Sequence, residues 1–144
     1  NYLVLNGCLR KFFINDTGVE ITTHFAIESW WVSAIFAFEQ RKPTEFYIQA
    51  VEDSQILMID QAAYEDLLKA HPKLERYFRF VYQRAAAAGE MRSKYRYDFS
   101  KEDYYHHFND SYPEFVQRIP QYLLASFLGL TPEYLSEIRK KNRS

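Results

Sequence analysis

Cysteine is almost absent from this chain, because Cys8 is the only one among its 144 residues. A single cysteine excludes an intramolecular disulfide, and no run of about 18 apolar residues is present to cross a membrane. The composition therefore predicts a reducing, cytoplasmic location without a membrane partner. Cys8 in "LNGCLRKFF" is interpreted as a small core hydrophobe, since no second cysteine offers it a redox partner.

The chain also lacks an excess of positive charge. Its 18 Lys and Arg residues are balanced by 19 Asp and Glu residues, and the net charge is −1. No global basic field can therefore hold nucleic acid, so any such binding must come from a local patch. The length allows one sizeable core or two small ones and excludes a large multidomain enzyme.

Signatures of catalysis are missing as well. The sequence has no glycine-rich phosphate loop, no nucleophile elbow and no pair of candidate catalytic carboxylates. One helix face combines Asp103, His106, His107 and Asp110. Such a face could bind a divalent metal, but without ligands from elsewhere it is more often solvated surface. We therefore predict neither a metal site nor an enzyme.

The first 60 residues have the pattern of a β domain. Strands are expected in "YLVLNG", "CLRKFFIN" and "VEITTHFAI", and two more in "TEFYIQAVEDSQILMID". Short strands separated by turn signals are typical of a β-sandwich, roll or barrel. Between them, "ESWWVSAIFAFEQRKP" has helical rather than alternating apolar spacing and is predicted to form a short helix and a loop.

Helices follow from Asp60, which can cap the segment "QAAYEDLLKA". "PKLERYFRFVYQRAAAAGEMRSKYRY" then predicts a long helix ending near Tyr97, and Ser100 can cap the next one. An apolar stripe along the long helix recurs at steps of three and four residues and comprises Leu74, Phe78, Val81, Ala85 and Ala88. The stripe fits an amphipathic helix packed on its own domain or a parallel dimer helix, and its length and position favour the dimer.

The segment "LLASFLGLTPEYLSEIRKK", residues 123–141, predicts a helix-turn-helix. Ala125 is small enough for a close helix crossing, and Gly129 suits a turn that needs a positive φ. Thr131 can cap the second helix, with Pro132 at its first position. The apolar side chains expected to join the two helices are Leu124, Leu128, Leu135 and Ile138. The alternative is an αα-hairpin that contacts only protein.

These features together resemble the Crp/Fnr family of bacterial transcription regulators, most closely in "YPEFVQRIPQYLLASFLGLTPEYLSEIRKK". The resemblance implies an α+β fold. It has a cyclic-nucleotide-binding-like β-roll over residues 1–71, a dimerisation helix over 72–97 and an all-α helix-turn-helix domain over 98–144. It also implies that the chain begins inside the roll, with the first strands absent, and that no wing follows the second helix.

The chain departs from the family pattern in two places, and the first is the effector pocket. In cyclic-nucleotide binders of the family, a Gly-Glu pair and a later Arg hold the ribose and the phosphate. Here Ser33 and Ala34 match the Gly-Glu pair, and Thr44 matches the arginine, with Glu45 beside it. A buried phosphate without a cationic partner is costly, so binding of cAMP or cGMP is not expected. The pocket is then either adapted to a small apolar effector of unknown identity or filled by Trp30, Trp31 and Phe46.

The resemblance also implies how the second helix would read double-stranded DNA. Glu133 matches a family glutamate that accepts from cytosine, whereas Glu137 stands where arginine often reads guanine. Positive charge is displaced to Arg118 and to a tail that includes Arg143, which suits phosphate contacts. The candidate DNA-binding residues are Arg118, Gln121, Thr131, Glu133, Tyr134, Ser136, Glu137, Arg139, Lys140 and Lys141. We predict a homodimeric regulator, and the alternative is a dimeric scaffold without specific DNA reading.

Overall fold

A computed structural model describes residues 1–143 of the chain, and the side chains of residues 1–142. The strands are β1 (Tyr2–Asn6), β2 (Leu9–Ile14), β3 (Glu20–Ala26), β4 (Trp31–Val32), β5 (Tyr47–Ala50) and β6 (Gln55–Met58). The helices are α1 (Ile35–Gln40), α2 (Gln61–Ala70), α3 (Lys73–Asp98), α4 (Lys101–Ser111), α5 (Pro113–Arg118), α6 (Gln121–Leu128) and α7 (Pro132–Arg143). The predicted α+β class is confirmed.

The strands form two antiparallel sheets of three, in the orders β4-β1-β6 and β3-β2-β5. All five predicted strands are present, but β4 was missed and the predicted helix around it begins only at Ile35. Trp31 pairs with Leu3 of β1, and Val32 pairs with Tyr2. The helical spacing of this segment was misleading because its conformation is set by a partner strand nearly 30 residues earlier in the chain.

The helix boundaries follow local capping chemistry. The Asp60 carboxylate accepts a hydrogen bond from the Ala63 amide at 2.8 Å, and the Ser100 hydroxyl accepts from the Asp103 amide at 3.1 Å. Each side chain thereby satisfies an amide that lacks a partner in the first turn. Helix α3 passes through Gly89 without a break. The predicted caps and the predicted long helix are confirmed.

The apolar residues collect into two clusters. The smaller one lies within the strand region and contains Val4, Leu9, Ala26 and Val32. The larger one joins the helices after α3 and also includes Cys8 and Phe25 from the strand region. Cys8 and Leu9 are neighbours in sequence and belong to different clusters, as expected where successive side chains of extended backbone face opposite ways. The strand region and the C-terminal helices therefore share a core.

Cys8 is fully buried in this shared core. Burial raises the pKa of its thiol to about 11, so the thiolate that redox chemistry needs is scarce at neutral pH. This placement fits the interpretation of Cys8 as a core side chain. Among residues 1–143, no helix is both long and apolar enough to cross a membrane.

Helix α6 lies against β3, which is at the edge of its sheet. The Ser126 hydroxyl donates to the Glu20 carbonyl oxygen at 2.9 Å and accepts from the Thr22 amide at 2.9 Å. One side chain of α6 thus satisfies a carbonyl and an amide of the strand. These contacts fix how the C-terminal helices sit on the strand region.

Candidate nucleic-acid interface

The turn between α6 and α7 is defined by a glycine and a threonine. Gly129 adopts φ +74°, in the left-handed region that favours glycine, and ends α6. The Leu130 amide then donates to the Ala125 carbonyl oxygen at 2.9 Å. The Thr131 hydroxyl accepts from the Tyr134 amide at 3.1 Å and so caps α7, with Pro132 at its first position. The turn has the predicted form.

Apolar side chains lock the two helices at their crossing. Leu124, Ala125 and Leu135 are fully buried, and Ile138 is 2% exposed. They belong to the shared core, in which Leu128 also lies. Burial on this side leaves the opposite side of α7 as its outer surface, and the pair of helices has the local geometry that the sequence predicted.

The outer surface of α7 carries both signs of charge. Glu133, Tyr134, Glu137, Lys140 and Lys141 are all exposed. Their spacing of three or four residues places Glu133, Glu137 and Lys140 on one side of the helix. Two carboxylates lie nearer its N-terminus and the ammonium groups nearer its C-terminus. The surface is therefore balanced in charge rather than basic.

Three of the candidate residues lie beside this surface and bond to one another. The Gln121 amide nitrogen donates to the Ser136 hydroxyl at 2.7 Å, and Arg139 donates to the Gln121 amide oxygen at 2.9 Å. Arg139 also donates to the Tyr105 hydroxyl of α4 at 3.2 Å. These half-buried side chains tie the start of α6 to α7 and to α4. Their contacts hold the Arg139 guanidinium against the start of α6 and against α4.

Arg118 points to the strand region and away from α7. Its guanidinium pairs with Glu28 at 2.8 Å and with Glu52, and it donates to the Gly7 carbonyl oxygen at 2.8 Å. The Arg118 hydrogen bonds hold the pKa of Glu28 well below its usual range, at about 2. In this conformation carboxylates occupy both the Nε–Nη2 edge and the Nη1–Nη2 edge of the guanidinium. Sequence reasoning missed the cluster because Glu28 lies 90 positions from Arg118 and no local pattern links them.

The apolar stripe predicted for dimerisation varies in exposure along α3. Phe78 is buried and packs edge-on against Trp31 and Tyr64 of its own chain. Leu74 and Val81 are half-buried, whereas Ala85 and Ala88 are exposed. The large apolar side chains of α3 that are exposed are Tyr77, Phe80, Met91 and Tyr97. Dimerisation remains a prediction, and these exposed side chains are better placed for it than Phe78.

The four residues of the expected degenerate pocket differ in exposure. Ser33 is buried, Ala34 is half-buried, and Thr44 and Glu45 are exposed. The Ser33 carbonyl oxygen accepts from the Lys11 ammonium at 2.8 Å. Burial and, after it, Arg92 lower the pKa of Lys11. The sequence comparison considered only positions matching the family's charged residues, and so it missed Lys11, a buried cation supplied by β2.

The aromatic side chains suggested as a filling for that pocket lie in different places. Trp30 packs on Phe115 of α5, while Trp31 packs on Phe78 of α3. Phe46 meets Phe13 edge-on, with ring centroids 5.9 Å apart. These three side chains therefore do not fill one cavity together.

The histidine and aspartate face of α4 does not converge on a point. His107 packs against Tyr95 with ring centroids 4.4 Å apart, while His106 faces Glu102 at 3.7 Å. Within the described part of the chain, no group of three or more His, Cys, Asp or Glu residues is placed to hold a metal ion.

No protein-family model and no curated protein matches the chain in sequence. Solved structures do match it in fold. A Crp/Fnr-family putative transcriptional regulator from Eubacterium rectale has a TM-score of 0.72 at 15% identity, covering 99% of this chain and 68% of its own. FixK2 from Bradyrhizobium japonicum has a TM-score of 0.75 at 12% identity, covering 97% and 72%. The regulator CLP of Xanthomonas campestris, described as responsive to c-di-GMP, has a TM-score of 0.76 at 15% identity, covering 99% and 76%.

The similarity spans the strands, the long helix and the C-terminal helices, because each alignment includes nearly every residue of this chain. At such low identity the similarity is one of backbone architecture. The chain has the fold of the Crp/Fnr transcriptional regulators.

Proposed function

We propose that the protein is a DNA-binding transcription regulator that works as a homodimer. The supporting observation is the α6–α7 unit, whose cap, turn and buried crossing are complete while the polar side of α7 faces outward. A helix presented in this way can enter the major groove. The fold shared with transcriptional regulators supports the same proposal.

In this proposal α7 is the recognition helix. Glu133 accepts from a cytosine amino group, and Tyr134 makes neutral contacts. Lys140 and Lys141 contact phosphates, and Arg139 joins them from the position in which Gln121 and Ser136 hold it. Glu137 faces outward among these groups and weakens affinity, because DNA is a polyanion. Thr131 contributes by fixing where α7 begins.

The proposed effector region does not bind cyclic nucleotides. Thr44 and Glu45, which match the phosphate-binding part of the family, offer no positive charge and are exposed. The nearby Lys11 ammonium is already bonded to the Ser33 carbonyl oxygen. A cyclic phosphate would have to displace that bond and approach Glu45, and both steps oppose binding.

The decisive experiment is a DNA titration of Glu137→Arg after selection of bound sequences from a random pool. The variant is expected to bind the selected DNA more tightly, with a log–log salt slope steeper by about 0.9, equivalent to one phosphate contact. Asp66→Arg, on the exposed side of α2, makes the same charge change away from α7 and is expected to leave both values unchanged. Added cAMP is expected to leave the midpoint of the wild-type DNA titration unchanged.

The alternative function is that of a dimeric scaffold. The balanced charge of α7 favours this alternative over base-specific DNA binding. A scaffold yields no enriched sequence from the random pool and shows no salt-sensitive binding at physiological ionic strength. Equal affinity of Glu137→Arg and Asp66→Arg for DNA would show that α7 does not enter the groove.

A further inference from the structure

A cavity of about 380 Å³ lies where the strand region, α3 and the C-terminal helices meet. Its walls are mostly aromatic and include Phe25, Trp30, Phe108 and Phe115, of which Trp30 and Phe115 pack on each other. Along α3 the wall includes the small side chains of Ala87 and Ala88, which leave space beside the larger Met91 and Tyr95. The volume lies within the range of small-molecule sites, and the flat apolar walls suit a ring.

Arg92 of α3 supplies the positive charge of this cavity. Its side chain is half-buried, and among the described residues no carboxylate forms an ion pair with it. Burial lowers the pKa of this guanidinium, which shows the cost of removing its charge from water. A half-buried cation without an anionic partner is a ready site for an anion.

The one hydrogen bond of the Arg92 guanidinium within the described chain joins it to the His24 ring, at 3.1 Å from Nε2. A guanidinium only donates, so Nε2 accepts and the ring proton lies on Nδ1, 2.9 Å from the Thr23 hydroxyl. That hydroxyl donates to the Lys11 carbonyl oxygen at 3.2 Å. The series of bonds orients Arg92 without neutralising it.

His24 stays uncharged in this arrangement. Burial, together with Lys11 and Arg92, lowers the pKa of its imidazole to about 3. Among the described residues, no acidic one lines the cavity. The polar groups of the site are therefore the Arg92 guanidinium, the rings of His24 and His107 and the hydroxyls of Tyr95, Tyr104 and Tyr112, and this set is complementary to one negative charge.

We propose that this cavity binds a small aromatic carboxylate, whose carboxylate meets the Arg92 guanidinium and whose ring packs against the aromatic walls. Arginine binds a carboxylate through two parallel hydrogen bonds, a geometry that a planar anion fits. The site is separate from the region of Ser33 and Thr44. It touches the strand region, α3 and α4–α5 at once, so a ligand there binds best when those parts keep this arrangement.

Binding at this site does not depend on whether the protein binds DNA, and only a role as effector rests on the proposed function. The experiment is therefore done without DNA, by calorimetric titration of the full chain with 2-naphthoate and with its uncharged counterpart 2-naphthamide. We expect the carboxylate to bind at least about tenfold more tightly than the amide, because hydrogen bonds to charged groups are the stronger ones.

Arg92→Gln removes the charge and is expected to weaken 2-naphthoate binding about ten- to a hundredfold. It is expected to leave 2-naphthamide binding nearly unchanged. Arg84→Gln, at an exposed position of the same helix, is the matched control and is expected to bind both compounds like wild type. Arg92→Lys keeps the positive charge but lacks the two parallel donors of the guanidinium. Its affinity for 2-naphthoate is expected to lie between those of wild type and Arg92→Gln.

Thermal unfolding of each variant shows that it is folded before it is titrated. Three outcomes would each overturn the proposal: no binding of 2-naphthoate at millimolar concentration, equal binding of the acid and the amide, or wild-type affinity in folded Arg92→Gln. The proposal is supported if Arg92→Gln and Arg92→Lys lose affinity for 2-naphthoate and keep their affinity for 2-naphthamide. This conclusion does not depend on the result of the DNA titration.

Discussion

At the scale of single residues, Arg118 connects parts of the chain that lie far apart in sequence. It bonds to Glu28, Glu52 and the Gly7 carbonyl oxygen, and the Glu28 carboxylate in turn accepts from the Gly7 amide at 2.7 Å. Arginine joins two carboxylates and a carbonyl here because its donors spread in a plane. The end of α5 is thereby held against the loops of the strand region.

Replacing Arg118 by Gln is expected to loosen those loops. Glu28 loses its partner, so its bond to the Gly7 amide becomes easier to open. Amide hydrogen exchange followed by NMR is expected to be faster at Gly7 in the variant. Arg84→Gln serves as the control with the same substitution on an exposed helix surface, and unchanged exchange at Gly7 in Arg118→Gln would contradict this account.

The residue scale also shows where sequence reasoning was limited. Thr131 and Gly129 were recognised because their roles depend on two or three neighbouring residues. The partners of Arg118 and the position of Lys11 beside Ser33 depend on tertiary packing across tens of residues. A family comparison that asks only whether a known charge is retained cannot find a charge that arrives from another strand.

At the scale of elements, α3 packs inward on one side and presents apolar side chains outward on the other. Phe78 belongs to the inward side, whereas Tyr77 and Phe80 are each 45% exposed. A second copy of α3 could cover this surface, and the dimer predicted from the sequence would then use neighbouring positions and not Phe78.

Phe80→Glu is expected to abolish dimerisation, because it places a carboxylate in the centre of the proposed α3 contact. Light scattering at micromolar concentration is expected to give the mass of two chains for wild type and of one chain for the variant. Phe36→Glu makes the same change on α1, at a position 71% exposed, and is expected to remain dimeric. A wild-type monomer would refute the dimer itself.

Elements whose ends are set by local chemistry were the ones predicted well. Asp60 and Ser100 cap α2 and α4 as their sequence positions indicated. Strand β4 was not found, because two residues of extended backbone exist there only through pairing with Leu3 and Tyr2. The stripe on α3 was assigned by spacing alone, and spacing cannot distinguish a surface turned to the same chain from one turned to another.

At the scale of the whole molecule, His24 couples stability to pH. Its folded-state pKa of about 3 lies below the ordinary value of 6.5, so the unfolded chain binds the proton more readily. The stabilisation from a neutral His24 is complete above pH 6.5 and is lost as the pH falls toward 3. The limiting slope for one such group is about 1.4 kcal/mol per pH unit.

Urea unfolding measured between pH 6.5 and about 5 isolates this effect, since most carboxylates titrate lower. Wild type is expected to lose stability over this interval, and His24→Gln is expected to show a flatter dependence. His71→Gln, at an exposed position, is the control and is expected to follow wild type. Parallel curves for His24→Gln and wild type would mean that folding does not change the proton affinity of His24.

The bonds that Ser126 makes to Glu20 and Thr22 have a consequence for self-association. An edge strand with open amides and carbonyls is a template on which another chain can add a strand. Helix α6 shields part of that edge of β3. Any movement that lifts the C-terminal helices away from β3 exposes this edge to pairing with another chain. The need to avoid such aggregation limits how far these helices can move.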